Sequence, residues 1–172
     1  MTPLNNYTEP QEVTDQLFCY NSAKNQWEHP EVTGDIPSKR SGHASVICGD
    51  SVYLFGGFAE DFNALNDLYI LDMVSKRWKL VHGTFSPLSL NGAIPRGRHF
   101  HTLTRVSDTT AALFGGSTND NDTIATMEVD GRYSLRFLGD CWLLDLEKAK
   151  KLKDPASIWR PIAHQGSNSV LS

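Results

Sequence analysis

The sequence predicts an all-β chain built as an array of small sheets, the pattern of an incomplete propeller. Three observations predict it. One phrase occurs twice: Pro37-Ser-Lys-Arg40-Ser-Gly-His43 followed by Tyr53-Leu-Phe-Gly56-Gly57, and Pro95-Arg-Gly-Arg98-His-Phe-His101 followed by Ala112-Leu-Phe-Gly115-Gly116. The two copies keep their spacing, since Arg98 lies 58 positions after Arg40 and Gly115 lies 59 after Gly56. Repeats of roughly 50 residues mark propellers or arrays whose unit is one small sheet. Each copy also closes in the same order, with Asn66-Asp-Leu-Tyr69 then Trp78 in the first and Gly139-Asp-Cys-Trp142 then Trp159 in the second.

The elements follow in order. Residues 1–14 read as a polar lead-in. Leu17-Phe-Cys-Tyr20, a polar turn at Asn21 to Asn25 and then Trp27 read as the last two strands of a blade. Trp27 precedes Trp78 by 51 positions, again one repeat. This blade end takes residues 15–36. In the blade at 37–80, Val46-Ile-Cys48 and Tyr53-Leu-Phe55 are apolar runs of strand length. Gly56-Gly57 and Gly115-Gly116 are expected to end such strands, where the backbone turns with no room for a side chain. Leu68-Tyr-Ile-Leu71 gives a third strand and Lys76-Arg-Trp78-Lys-Leu80 a fourth, its indole filling space between neighbouring blades. The last blade takes residues 90–162 and carries insertions near 117–138 and 147–156. The length of the first insertion points to function or disorder. The charges of the second, Glu147 to Asp154, suit a solvated turn. Residues 163–172 read as a flexible tail.

The ordered set Arg-x-x-His, Gly-Gly, Asp-x-aromatic and Trp, met twice, resembles the kelch repeat over residues 15–162. That resemblance implies four antiparallel strands per blade, the first nearest the axis. The chain then holds about two full blades plus a partial one, an incomplete kelch β-propeller. Closed propellers need about four to eight blades, so the expectation is a piece of a larger propeller or a chain that pairs with another.

Composition narrows the function classes. The 172 residues carry a formal net charge of −4, which argues against a nucleic-acid surface. No apolar run approaches the ~18 residues of a membrane span, and the N-terminus lacks a secretory apolar region. Cys19, Cys48 and Cys141 fall in strand-like contexts and suit buried free thiols in a reducing compartment, cytoplasmic or nuclear. No nucleophile–base set or phosphate loop is present, so the expectation is a non-enzymatic chain with no cofactor. His99 and His101 would share one face of a strand, but no third ligand at suitable spacing completes a metal site. His43 and His101, equivalent in the repeat, are expected to point into their blades and hydrogen-bond the backbone.

Arg40 and Arg98 are the leading candidates for binding. The kelch resemblance places each on the loop entering an innermost strand, at the mouth of the central channel. A guanidinium there can hold a carboxylate bidentately, or it can tether neighbouring loops; the residues alone leave both open. Pro95 to Asp108 with Leu113-Phe-Gly-Gly116, and the matching blade from Pro37 to Tyr69, resemble the kelch-domain-containing substrate receptors of cullin–RING ubiquitin ligases. The resemblance implies capture of a protein's free C-terminal tail, its carboxylate held at Arg40 and Arg98. With Phe100, two places after the second arginine, and Ser117, the candidate protein-binding set is Arg40, Arg98, Phe100 and Ser117. His99 departs from that group's pattern, where a small polar residue stands. The chain shows neither the elongin- and cullin-binding helical segment that follows such propellers nor a preceding BTB domain, so ligase components are expected to join through regions of a longer relative. A general kelch scaffold in trafficking or the cytoskeleton, with no ligase link, is the alternative.

Overall fold

The computed structural model describes residues 14–61, 63–83, 93–118 and 136–163. Nearly all of the lead-in and of the tail lies outside these residues, as does the stretch of the first insertion at 119–135.

The described residues form four sheets: a hairpin, two blades and a short ribbon within the second blade. A short hairpin of β1 (Cys19–Asn21) and β2 (Gln26–Glu28) comes first, with Tyr20 opposite Trp27. β3 (Thr33–Gly34) follows, then β4 (Arg40–Ser41). The central blade is a four-strand antiparallel meander of β5 (Ala44–Cys48), β6 (Ser51–Ala59), β7 (Ala64–Asp72) and β8 (Arg77–His82). β3 lies parallel to β8, and β4 pairs with the far end of β6. The last blade repeats the meander with β9 (Thr102–Arg105), β10 (Thr110–Phe114), β13 (Cys141–Asp145) and β14 (Trp159–Ile162). Between β10 and β13, β11 (Ser117–Thr118) and β12 (Arg136–Phe137) pair antiparallel as a short ribbon.

Period-2 alternation gives each blade two apolar faces. Tyr53, Phe55, Leu68 and Ile70 on one face of the central blade pack against Leu113, Trp142, Leu144 and Trp159 of the last. Its other face, Leu54, Leu71 and Trp78, packs against Leu17 and Val32. Trp78 therefore lies between neighbouring sheets, as the sequence predicts. Trp159 does the same, its ring tilted against Phe55 at 4.8 Å between centres and its indole N–H donating to His82 Nε2 at 3.0 Å.

Several expectations need correction. The first glycine pair does not end its strand: β6 runs through Gly56-Gly57, with a register shift between Phe55 and Gly57. Both glycines hold positive φ, at 64° and 112°, and a Cβ on Gly56 would sit 2.7 Å from the Arg98 carbonyl oxygen. The pair makes a bulge that admits the neighbouring chain. Gly115-Gly116 does separate two strands, β10 and β11.

The second insertion is helical rather than a plain turn. α1 (Leu146–Lys150) buries Leu146 and Ala149, and the Asp145 carboxylate caps it by accepting from the Lys148 N–H. α2 (Pro155–Ile158) buries Ile158 against β14. All three cysteines are free, but only Cys48 is fully buried; Cys19 is exposed on the short hairpin.

Candidate functional site

The candidate surface grows from the segment joining the two blades. Pro95 to Phe100 leaves the central blade and enters the last one, and its backbone is sewn to the first of these. The Arg98 N–H donates to the Leu65 carbonyl at 3.0 Å, and the Arg98 carbonyl accepts from the Gly57 N–H at 2.9 Å. Asn66 Nδ2 donates to the Pro95 carbonyl at 3.2 Å. The Arg98 side chain points the other way, into the last blade. It makes a bidentate pair with Asp140, both N···O distances 2.8 Å, and donates to the Gly115 carbonyl at 2.9 Å. Backbone and side chain of this one residue thus hold different sheets.

Arg40 repeats the side-chain half of that arrangement. Its guanidinium meets the Asp67 carboxylate at 2.6 and 2.9 Å and donates to the Gly56 carbonyl at 3.0 Å. Nε and the remaining Nη2 hydrogen go to the Ser38 carbonyl and Ser38 Oγ. All five N–H donors of Arg40 are engaged within the chain, and the guanidinium carbon stands 5.3 Å from the Tyr69 ring centre. The two ion pairs differ in cover. The Asp67 side chain is 8% exposed and that of Asp140 is 41% exposed. Burial works to raise the Asp140 pKa, but hydrogen bonds from Arg98 and from the Trp142 indole outweigh it and hold the carboxyl below its ordinary value.

The other two candidates sit beside Arg98 in contrasting settings. Ser117 is buried: its backbone exchanges two 2.9 Å hydrogen bonds with His99, and its Oγ lies 2.9 Å from His99 Nε2. Phe100 is 74% exposed and holds φ of 57°, a region a bulky L-residue rarely adopts. Its N–H donates to the Gly42 carbonyl at 2.8 Å, and a Cβ on Gly42 would meet the Phe100 ring at 3.0 Å. Glycine at position 42 therefore lets the tips of the two blades close on each other. Of the four candidates, the structure gathers Arg98, Phe100 and Ser117 at one tip, sets Arg40 at the equivalent place one blade away, and presents Phe100 to solvent.

His101 is buried in its blade as expected and meets Phe55 edge-on at 5.6 Å, close to the Phe55 backbone, but neither ring nitrogen makes a well-formed hydrogen bond among the described residues. Burial, followed by the Arg98 charge, holds its pKa down at about 4, so it is neutral at pH 7. His43 is lowered in the same direction by burial and then by Arg40.

Asp67 and Asp140 are the site residues whose role sequence reasoning missed, although both occupy the same place in the Asp-x-aromatic step of the repeat. Among the described residues, no cluster of three or more His, Cys, Asp or Glu is placed to hold a metal ion. No helix among them is long and apolar enough to cross a membrane.

Known proteins share this arrangement of motifs. The family model described as the KLHDC2/KLHL20/DRC7 Kelch-repeats domain matches residues 5–171. Host cell factor 1 of Homo sapiens is 33% identical over 135 residues, which is 78% of this chain and 6% of that protein. Kelch domain-containing protein 2 of Bos taurus is 32% identical over 120 residues, 70% of this chain and 28% of the relative. Kelch domain-containing protein 1 of Mus musculus is 32% identical over 108 residues, 62% of this chain and 25% of the relative. The matched stretches make up only 6–28% of the length of these relatives. Two antiparallel four-strand blades, the paired glycines and arginines that join them and a family match over almost every residue lead to one conclusion: the chain belongs to the kelch-repeat family and forms part of an all-β kelch propeller.

Proposed function

We propose that this chain is a non-enzymatic recognition module that binds a protein partner at the blade tips around Phe100, as part of a substrate receptor for cullin-dependent ubiquitination in the cytoplasm or nucleus. Phe100 carries the reading. An exposed aromatic ring held at positive φ by Gly42 keeps its apolar area in water, a setting that suits a contact residue. Arg40, Arg98 and Ser117 then serve by position: the guanidinium groups fix the entry loops, and Ser117 holds His99 behind the ring. Support for the receptor role comes from the family match and from likeness to kelch domain-containing proteins 1 and 2.

One observation favours the alternative of a general kelch scaffold. A partner's terminal carboxylate could gain Arg40 only by displacing Asp67 from a buried bidentate pair, and a buried carboxylate without donors is costly. Peptides displayed with free and with amidated C-termini separate the two readings. Binding that needs the free carboxylate and is lost in Phe100→Ser supports the receptor. Equal binding of both forms supports the scaffold, and capture unaffected by Phe100→Ser refutes the site. Affinity capture with the longer protein, probed for elongin and cullin, tests the ligase link.

A further inference from the structure

We propose that the contact between the central and last blades is a proton-operated latch, in which protonation of His82 and His101 releases the two sheets from each other while each sheet keeps its own ladder. The latch does not rest on the function proposed for the Phe100 tip.

Four rings cross this seam in a chain that alternates between the blades. His101, just before β9, meets Phe55 of β6 edge-on at 5.6 Å. The Phe55 ring lies 4.8 Å from that of Trp159, at the start of β14. The Trp159 indole in turn donates to His82 Nε2, at the end of β8. Phe55 is fully buried, and His82, Trp159 and His101 are 4–7% exposed. An imidazole therefore closes each end of the chain, one from each blade.

The seam works only with neutral imidazoles. An indole N–H donates and never accepts. His82 Nε2 must offer it a lone pair, so the ring proton sits on Nδ1, which donates to the Gly83 carbonyl at 3.2 Å. A second proton, on Nε2, sets N–H against N–H and ends the bond between the blades. At the other end neither His101 nitrogen makes a well-formed hydrogen bond among the described residues, so a proton there creates a buried cation without its acceptors.

The charges facing the two rings do not offset this cost. Asp67 favours a cation at His82, but its carboxylate is already held by Arg40 at 2.6 and 2.9 Å. At His101 the facing charge is Arg98, followed by His43 and His99, and all three oppose a cation; only the Phe55 backbone favours one. Burial is the largest influence on both rings and keeps them neutral while the seam is closed, His101 down to about pH 4. In an open seam water solvates each ring and its pKa returns to about 6.5. Between those values the open form binds more protons than the closed one, so falling pH favours opening. Each histidine raises the open population by up to about tenfold per pH unit, and the pair by up to about a hundredfold.

Nitrogen-15 NMR of the indole N–H groups of the 172-residue chain, taken from pH 7.5 to 4, tests the latch. The Trp159 signal should leave its hydrogen-bonded position in one step with a midpoint between those of the closed and open rings. The Trp142 indole, bonded to Asp140 within the last blade, should hold, and so should the far-UV circular dichroism. His82→Gln keeps an acceptor for the indole on a side chain that does not titrate, and His101→Phe removes the other proton. Each alone should lower the midpoint and cut the steepness from two protons to one, and the two together should abolish the step. A Trp159 signal that stays in place down to pH 4 in the parent overturns the proposal. So does a step that neither single substitution alters, or loss of circular dichroism at the same midpoint, which would mean that the sheets melt with the seam.

Discussion

Replacing Asp67 with alanine should destabilise the fold much more than replacing Asp140, although the two residues are repeat equivalents. Asp67→Ala strands a guanidinium that is 3% exposed and leaves its charge without a counterion. Removing one member of a buried pair typically costs about 3–5 kcal/mol. The Ser38 and Gly56 oxygens remain as acceptors, but they are neutral and cannot replace the lost charge. Arg98 is as buried as Arg40, at 0% exposed, but its Asp140 partner is 41% exposed, so water can enter where that side chain is removed. With that screening the loss should fall to about 1.5–3 kcal/mol, the range for hydrogen bonds to charged groups. Domains of this size are stable by about 5–15 kcal/mol, so the first variant gives up a large part of the total. Urea unfolding followed by tryptophan fluorescence, with slopes checked for equality, measures both. Equal losses, or a larger loss at Asp140, would refute the premise that burial of the carboxylate sets the strength of each pair.

Gly56→Ala forces a Cβ to 2.7 Å from the Arg98 carbonyl at φ of 64°, whereas Gly115→Ala meets only the Leu138 carbonyl at 3.5 Å at φ of 68°. Gly115→Ala should cost the left-handed strain alone, about 1–2 kcal/mol, and Gly56→Ala clearly more; thermal melts ranking them the other way would remove the close approach at Gly56. His101 stays neutral in the fold down to about pH 4, while its unfolded form takes a proton near pH 6.5. Between those values the unfolded chain binds more protons, so stability is full above pH 6.5 and falls with pH, by about 2 kcal/mol at pH 5. His101→Phe should flatten that slope in urea midpoints taken at pH 7.5 and 5, and an unchanged slope would clear His101 of the effect. Leu146→Ala should cost about 2–5 kcal/mol by emptying a fully packed position under α1, and a loss below 1 kcal/mol in the same assay would mean that α1 is not anchored by it.

The blades were legible because their determinants are local and occur twice. Apolar runs at Val46–Cys48 and Tyr53–Phe55, and the tryptophans Trp27 and Trp78 one repeat apart, mark the strands without long-range information. The arginines were legible as special positions but not in their role. A guanidinium waiting for a ligand and one already paired look alike in sequence, and the partners lie 27 and 42 positions downstream. The repeat did mark Asp67 and Asp140, and reading them as charges facing the arginines would have recovered both pairs. In the second insertion, the run of lysines concealed a helix whose signals are an Asp145 cap and apolar residues at 146 and 149. The hydrogen bonding of His101 escaped for another reason, since burial without a well-formed hydrogen bond leaves no mark in the sequence.

The Arg98 segment has a consequence for how this architecture can change in length. Its main chain is fastened to Leu65 and Gly57 while its side chain reaches Gly115 and Asp140. Adding or deleting a residue between Pro95 and His101 would take one set of fastenings out of alignment with the other. Growth is channelled instead to hairpin ends, such as the one that joins β11 to β12. Diversity in size should therefore accumulate at those ends, while the joints between sheets keep a constant count.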